Sequence, residues 1–425
     1  NQTVNASRIS TVRAQIAALG AAPEDGDEDA GVAARRDVLN AQLRQLRAPV
    51  ILAEEAYTQA GGLIGEIDSL LRERQTDRFV QRAQSPLNPG GWRDAWDVLA
   101  STATSVRNEI KREIANPIRR TELVTKLPVI LALLAVALVF VLRGREWFAR
   151  VSNLIIARSR RGQGVVAFLL SLGQVIIPLV GLVALVNALQ LTGMTGRRLG
   201  PLLDVLPAYG LFVILAHWLA GQLLPRNVDT ELHPLSMEPE VSARVHRRFI
   251  SLGYVLMVFG LLHAFVTQNA FDPVPSAVIM FPIGVVMAWM LYRFGQLLRA
   301  STPPQLEDAA RSFRLTLRSL LSRALMVAAA AGLIFAALGY SNAFEAITYP
   351  AAQTIYVLAI LLLLQRLAVD AYSFISPAEN AAQDALMPVL IGFLLVLVSL
   401  PILAVIWGAQ VTDITELWTR FRQGF

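Results

Sequence analysis

The chain has no cysteine, four histidines and only two lysines, Lys111 and Lys126. Without cysteine there is no disulfide framework, no thiol nucleophile and no thiolate metal site. Charge is also scarce: Asp, Glu, Lys and Arg make up 16% of the residues, against about 25% in ordinary soluble domains. The motifs HExxH, GxxxxGKS/T and GxSxG are missing, so the expected protein is not an enzyme and needs no cofactor. The histidines are scattered. His233 and His246 fall in a polar stretch, and His217 and His263 in two different apolar runs, without the helical i,i+4 pair that would make metal the stronger reading.

What is present is apolar sequence, 54% of the chain. Crossing a bilayer takes roughly 20 mostly apolar residues in a helix, because lipid satisfies no backbone group. Eight runs meet or approach that length: 127–142, 165–191, 199–224, 249–266, 273–292, 324–340, 346–365 and 387–407. The fold class expected is therefore all-α, a polytopic protein whose eight-helix transmembrane region occupies 123–408. The four loops at 143–164, 225–248, 293–318 and 366–386 hold six, four, five and one arginines. The alternate loops at 192–198, 267–272 and 341–345 hold two, none and none. That asymmetry places the first set in the cytoplasm and both termini outside. The net charge of +6 then reflects topology and contact with anionic lipid, and no nucleic-acid partner is expected.

Residues 1–122 contain no spanning run. Ile9, Val12, Ile16 and Leu19, then Leu39, Leu43, Leu46 and Val50, then Trp92, Trp96, Leu99, Val106, Ile110 and Ile114 recur mostly at spacings of three and four. This predicts a domain of three or four antiparallel helices. Loops are expected from Ala22-Pro23 and over Ser85–Gly91, and Pro49 and Gly61-Gly62 are expected to kink or divide the long middle helix. The opening Asn1 and the outside N-terminus lead us to expect a mature chain whose signal peptide has been removed.

Three groups of residues invite a functional reading. Trp147, Val151 and Leu154 share a helical face amid Arg150, Arg158, Arg160 and Arg161, the pattern of a basic helix lying in the interface against anionic lipid. Ala328, Gly332 and Ala336 form a small-residue stripe that lets helices pack closely. Asp204 and Arg323 are ionisable residues within apolar runs, where function is the default hypothesis, although both lie near run ends. The tail 409–425 places Val411, Ile414, Leu417, Trp418 and Phe421 on roughly one face and is expected to lie on the outer membrane surface.

An outside helical domain, eight spans in this orientation and a surface tail ending Trp418-Thr419-Arg420-Phe421-Arg422-Gln423-Gly424-Phe425 resemble the N-terminal part of large members of the small-conductance mechanosensitive channel family of Gram-negative bacteria. The resemblance implies an inner-membrane homo-oligomer, a heptamer, that releases ions and small osmolytes on hypo-osmotic shock. It also implies a periplasmic N-terminal domain, and a pore helix and β domain following Phe425 in a longer polypeptide. No pore or gate residue of that family has a matching position here. Two other classes stand beside it: a secondary transporter coupled through Asp204, and a membrane scaffold whose periplasmic domain binds a partner.

Overall fold

The computed structural model describes residues 2–20, 29–144, 147–148, 150, 163–223, 239–300, 309–375 and 386–424. Among these residues every regular element is an α-helix and no strand occurs. The helices are α1 (Gln2–Ala18), α2 (Ala30–Val80), α3 (Pro89–Ala115), α4 (Pro117–Leu142), α5 (Gln163–Ser171), α6 (Gly173–Leu191) and α7 (Gly196–Leu223). They continue as α8 (Pro239–Gln268), α9 (Pro273–Ala300), α10 (Ala309–Leu338), α11 (Ser341–Ile375), α12 (Leu386–Ile406) and α13 (Val411–Gln423). They form two compact units, Asn1–Phe79 and Val80–Phe425.

In the first unit, Val12 of α1 and Leu39 of α2 are buried, as the three-and-four spacing of their neighbours requires. The Arg36 guanidinium donates to the carbonyl oxygens of Gly20 at 2.9 Å and Leu19 at 3.5 Å, so a cation closes the C-terminal end of α1. Pro49 and Gly61-Gly62 do not divide the middle helix: α2 runs as one helix of 51 residues, about 75 Å. Proline removes one backbone hydrogen bond, and nothing lies within 4 Å of where a Cβ would stand on Gly61 or Gly62. No close approach therefore forces the helix apart there. From Ile51 onward, Ile51, Leu52, Tyr57, Leu63, Ile64, Ile67 and Leu70 are all exposed.

The second unit begins earlier in the chain than the expected edge of the membrane region at 123. Asn88 caps α3 by accepting from the Gly90 N–H at 3.2 Å, with Pro89 in the first turn. Asn116 ends α3 and opens α4, its side chain accepting from the Ile118 N–H at 3.1 Å. Helix α3 packs on α9, where Gly91 lies against Val278 and Val274.

Among the described residues seven helices are long and apolar enough to cross a membrane: Pro117–Leu142, Gly164–Leu191, Gly196–Leu223, Ser242–Gln268, Pro273–Arg299, Arg318–Leu338 and Ser341–Tyr372. The second of these bends at Leu172, between α5 and α6. The last of the eight expected runs forms α12, whose described side chains give a shorter apolar helix, Leu390–Ile406. Helices pair as α4 with α6, α7 with α8, α9 with α10 and α11 with α12. The buried core lies among α7 to α11, with Leu219, Leu252, Leu256, Met287 and Leu291 fully enclosed. At its centre the Tyr356 hydroxyl donates to the Phe249 carbonyl at 3.0 Å between the rings of Phe249 and Phe212.

Lipid tails are as apolar as leucine, so burial does not drive these helices together; close packing does. A small residue accordingly marks one seam after another. A Cβ on Gly253 of α8 would fall 2.6 Å from Ala216 Cβ of α7, and one on Gly332 of α10 2.5 Å from Thr348 Cγ2 of α11. Between α9 and α10, Gly295 lies against Ser322, whose hydroxyl donates to the Gly295 carbonyl at 2.8 Å. Replacing Gly253 or Gly332 by leucine is expected to cost about 1–3 kcal/mol through overpacking, read as a lower Tm in detergent. Gly61→Ala, in open space, is expected to hold or raise the Tm by the equivalent of about 0.5–1 kcal/mol.

Candidate functional site

The two ends of the second unit differ in charge. Antiparallel pairing brings to one end the start of α8, the end of α9, the start of α10 and the end of α11. That end carries Arg244, Arg247, Arg248, Arg293, Arg299, Arg318, Arg323 and Arg366. Two of them stand over the indole of Trp289, Arg248 at 4.5 Å and Arg293 at 6.0 Å from its ring centroid. Stacking on an aromatic face holds a guanidinium at an interface where water is limited. Arg323 is exposed. Arg318 is half-buried, and among the described residues its shielded Nε and Nη2 atoms have no hydrogen-bond partner.

The opposite end is built from helix termini joined by polar contacts. The Glu109 carboxylate of α3 accepts from the Arg197 N–H at 2.7 Å and so caps α7, placing negative charge where the helix dipole favours it. Gly196, at φ 62°, turns the chain into that cap, with Glu109 packed where a Cβ would stand. Asp204 is exposed and accepts from Gln190 Nε2 of α6 at 2.5 Å. His263 Nδ1 of α8 lies 3.1 Å from a Glu345 carboxylate oxygen at the start of α11. His217 sits elsewhere, edge-on to Tyr254, so the two intramembrane histidines do not come together.

A second set of contacts at this end ties the strand of chain after α2 to the last turn of α10. The Arg82 guanidinium donates to the Leu338 carbonyl at 3.1 Å, the Ser85 hydroxyl to the Ala337 carbonyl at 2.6 Å, and the Ala83 N–H to the Gly339 carbonyl at 2.9 Å. A helix leaves its final carbonyls without internal partners, and residues 82–85 supply donors for three successive ones. Gly339 makes the fit possible: its φ is 93°, and the Ala83 carbonyl oxygen sits where a Cβ would be. The Trp92 indole N–H then donates to the Pro86 carbonyl at 2.7 Å and closes the turn into α3.

Of the interface residues expected from sequence, Trp147 is 58% exposed, while Val151, Leu154, Arg158, Arg160 and Arg161 lie outside the described residues. In the small-residue stripe, Gly332 and Ala336 are buried and Ala328 packs against the core. Helix α13 segregates its faces, with Val411, Trp418 and Phe421 exposed and the last two rings stacked at 6.1 Å. Sequence reading did not find Glu109, the 82–85 clamp or the unpartnered donors of Arg318. Single polar residues that meet across scores of positions carry no local spacing signal. Among the described residues no group of three or more His, Asp or Glu could hold a metal ion.

The family described as "Protein of unknown function (DUF3772)" matches residues 50–112, the second part of α2 and most of α3. No curated protein and no solved structure matches the chain.

The clamp makes a direct prediction. Gly339→Ala forces an L side chain into positive φ against a backbone oxygen, and is expected to speed hydrogen exchange at the Ala83 amide at least about tenfold, equivalent to about 1.4 kcal/mol. Arg82→Ala with Ser85→Ala should have the same effect at lower amplitude, while exchange in α8 stays unchanged. Glu109→Ala is expected to loosen the first turn of α7 by about 0.5–2 kcal/mol, the usual range for a lost cap.

Proposed function

We propose that this chain is the sensing and peripheral-membrane portion of a tension-responsive channel subunit in a bacterial inner membrane. In this reading the arginine-lined end faces the cytoplasm, and the N-terminal helical domain lies in the periplasm. Helix α12, with 21 residues rising about 31 Å, is the eighth span. The tail helix α13 lies on the outer surface and leads toward the pore unit of a longer polypeptide, assembled as a homo-oligomer, a heptamer on the family resemblance.

One observation carries most of the weight: the flanks of the helix row are apolar and uncovered. Helix α4 presents Val129, Leu131, Leu138, Val141 and Leu142, and α12 presents Leu390, Phe393, Leu394, Leu397, Val398 and Leu400. Tension can shift a conformational equilibrium only through a difference between states, in in-plane area or in lipid contact. A helical unit whose outer helices α4 and α12 have a long apolar boundary can supply both, and thickness mismatch acts on the same helices. The clamp between residues 82–85 and α10 adds a polar joint through which the chain leaving α2 bears on a membrane helix.

The test is patch recording of the natural full-length protein in spheroplasts with the other mechanosensitive conductances deleted. Tension-gated currents are expected, and replacing Arg158, Arg160 and Arg161 together should shift the opening threshold. Absence of any tension-gated current would overturn the channel reading; an unchanged threshold in the triple variant would remove that loop from gating.

A further inference from the structure

We propose that the crossing of α9 and α10 at the arginine-lined end is a headgroup site for one anionic phospholipid, with Arg318 as its anchor. The observation is the pair of shielded, unpartnered donors on this half-buried guanidinium. Its Nε and Nη2 are shielded from solvent and meet no acceptor, although a buried charged donor without a partner is among the most costly arrangements a protein can hold. Arginine presents its donors as a fork, and Nε with one Nη is the pair that grips two oxygens of a phosphate or carboxylate. Those are the two atoms left without a partner.

Register supplies a second cation. Gly295 meets Ser322 across the two helices, and further along both Gly284 and Gly332 close on Phe344. The helices are thus antiparallel, and Arg299, one turn beyond Gly295, falls level with Arg318, one turn before Ser322. Arg299 lies in the last turn of α9 and is exposed. One guanidinium is thus withdrawn into the crossing and another stands at its mouth, the depth profile expected for a phosphate entering from the interface. Arg318 opens the apolar span Arg318–Leu338, so the ligand's other end would meet hydrocarbon. A phospholipid satisfies both halves; a free phosphate satisfies only the first.

The inference rests on placing Val80–Phe425 in a bilayer and is independent of channel gating. The experiment is native mass spectrometry of the purified, delipidated chain titrated with dioleoyl-phosphatidylglycerol or dioleoyl-phosphatidylcholine, with liposome flotation and circular dichroism alongside. One phosphatidylglycerol should be retained at concentrations where phosphatidylcholine is not. Arg318→Gln should need at least about tenfold more lipid for the same occupancy, and Arg318→Lys, which keeps the charge but loses the fork, about threefold more. Arg143→Gln, exposed on α4, should behave as the parent. Equal retention by Arg318→Gln and the parent, or equal retention of the two lipids, would overturn the site. An Arg318-dependent rise in Tm with inorganic phosphate but none with phosphatidylglycerol would assign a free anion instead and refute the lipid. Failure of the parent to float with liposomes would strike the bilayer placement itself. Should Arg318→Gln fail to fold, the Arg318→Lys titration decides by the same criterion.

Discussion

Close backbone approach between apolar helices is the constraint on which the second unit depends. In hydrocarbon the helices gain little by hiding leucines from one another, so cohesion comes from shape and from the few polar groups placed where backbones nearly touch. Gly253 against α7, Gly295 against α10 and Gly332 against α11 set the distances at which Tyr356 reaches the Phe249 carbonyl and Ser322 reaches Gly295. The glycines come first in this logic: widen any of these seams by one methyl group and the hydrogen bonds beside it lengthen beyond use. The core enclosed by α7 to α11 is the consequence.

That cohesion is uneven. Toward the centre, Leu219, Leu256 and Met287 are wholly enclosed, while α4 and α12 leave most of their large apolar side chains uncovered. A protein built to be a compact bundle would fold its flanks inward. Here the outer helices meet the surrounding medium over most of their circumference. The free energy of the assembly therefore includes a large boundary term that changes with lipid thickness and packing.

Much of this was legible in the sequence because it is periodic. Apolar runs of spanning length are set by bilayer thickness, and seven of the eight expected reappear as helices of that length. Asn88 and Pro89 lie in the loop expected over Ser85–Gly91, and there as at Asn116-Pro117 the helix end follows from cap chemistry that acts within four residues. What stayed hidden depends on distance. The continuity of α2 through Gly61-Gly62 turns on the absence of any neighbour, which no local pattern encodes. The docking of α3 on α9 joins residues far apart in the chain, and its amphipathic pattern suits a soluble helical domain equally well. Glu109 and Ser85 are ordinary exposed-type residues until a helix terminus from elsewhere is set against them.

Helix α10 draws these threads together. Its C-terminal carbonyls are held by Arg82, Ala83 and Ser85, and 20 positions earlier Arg318 waits with unpartnered donors, about 30 Å away along the axis. One end is tied to protein, and the other, on the inference above, to a lipid headgroup. A helix fixed in these two ways cannot follow a thinning bilayer passively. Either the headgroup draws Arg318 inward and strains the clamp at Gly339, or the clamp holds and the headgroup contact yields. The two attachments differ in kind, three short backbone-directed hydrogen bonds against one ionic contact with a mobile molecule. On that inference, a headgroup leaving Arg318 would uncover a costly unpaired donor, so membrane composition would become a term in the position of α10.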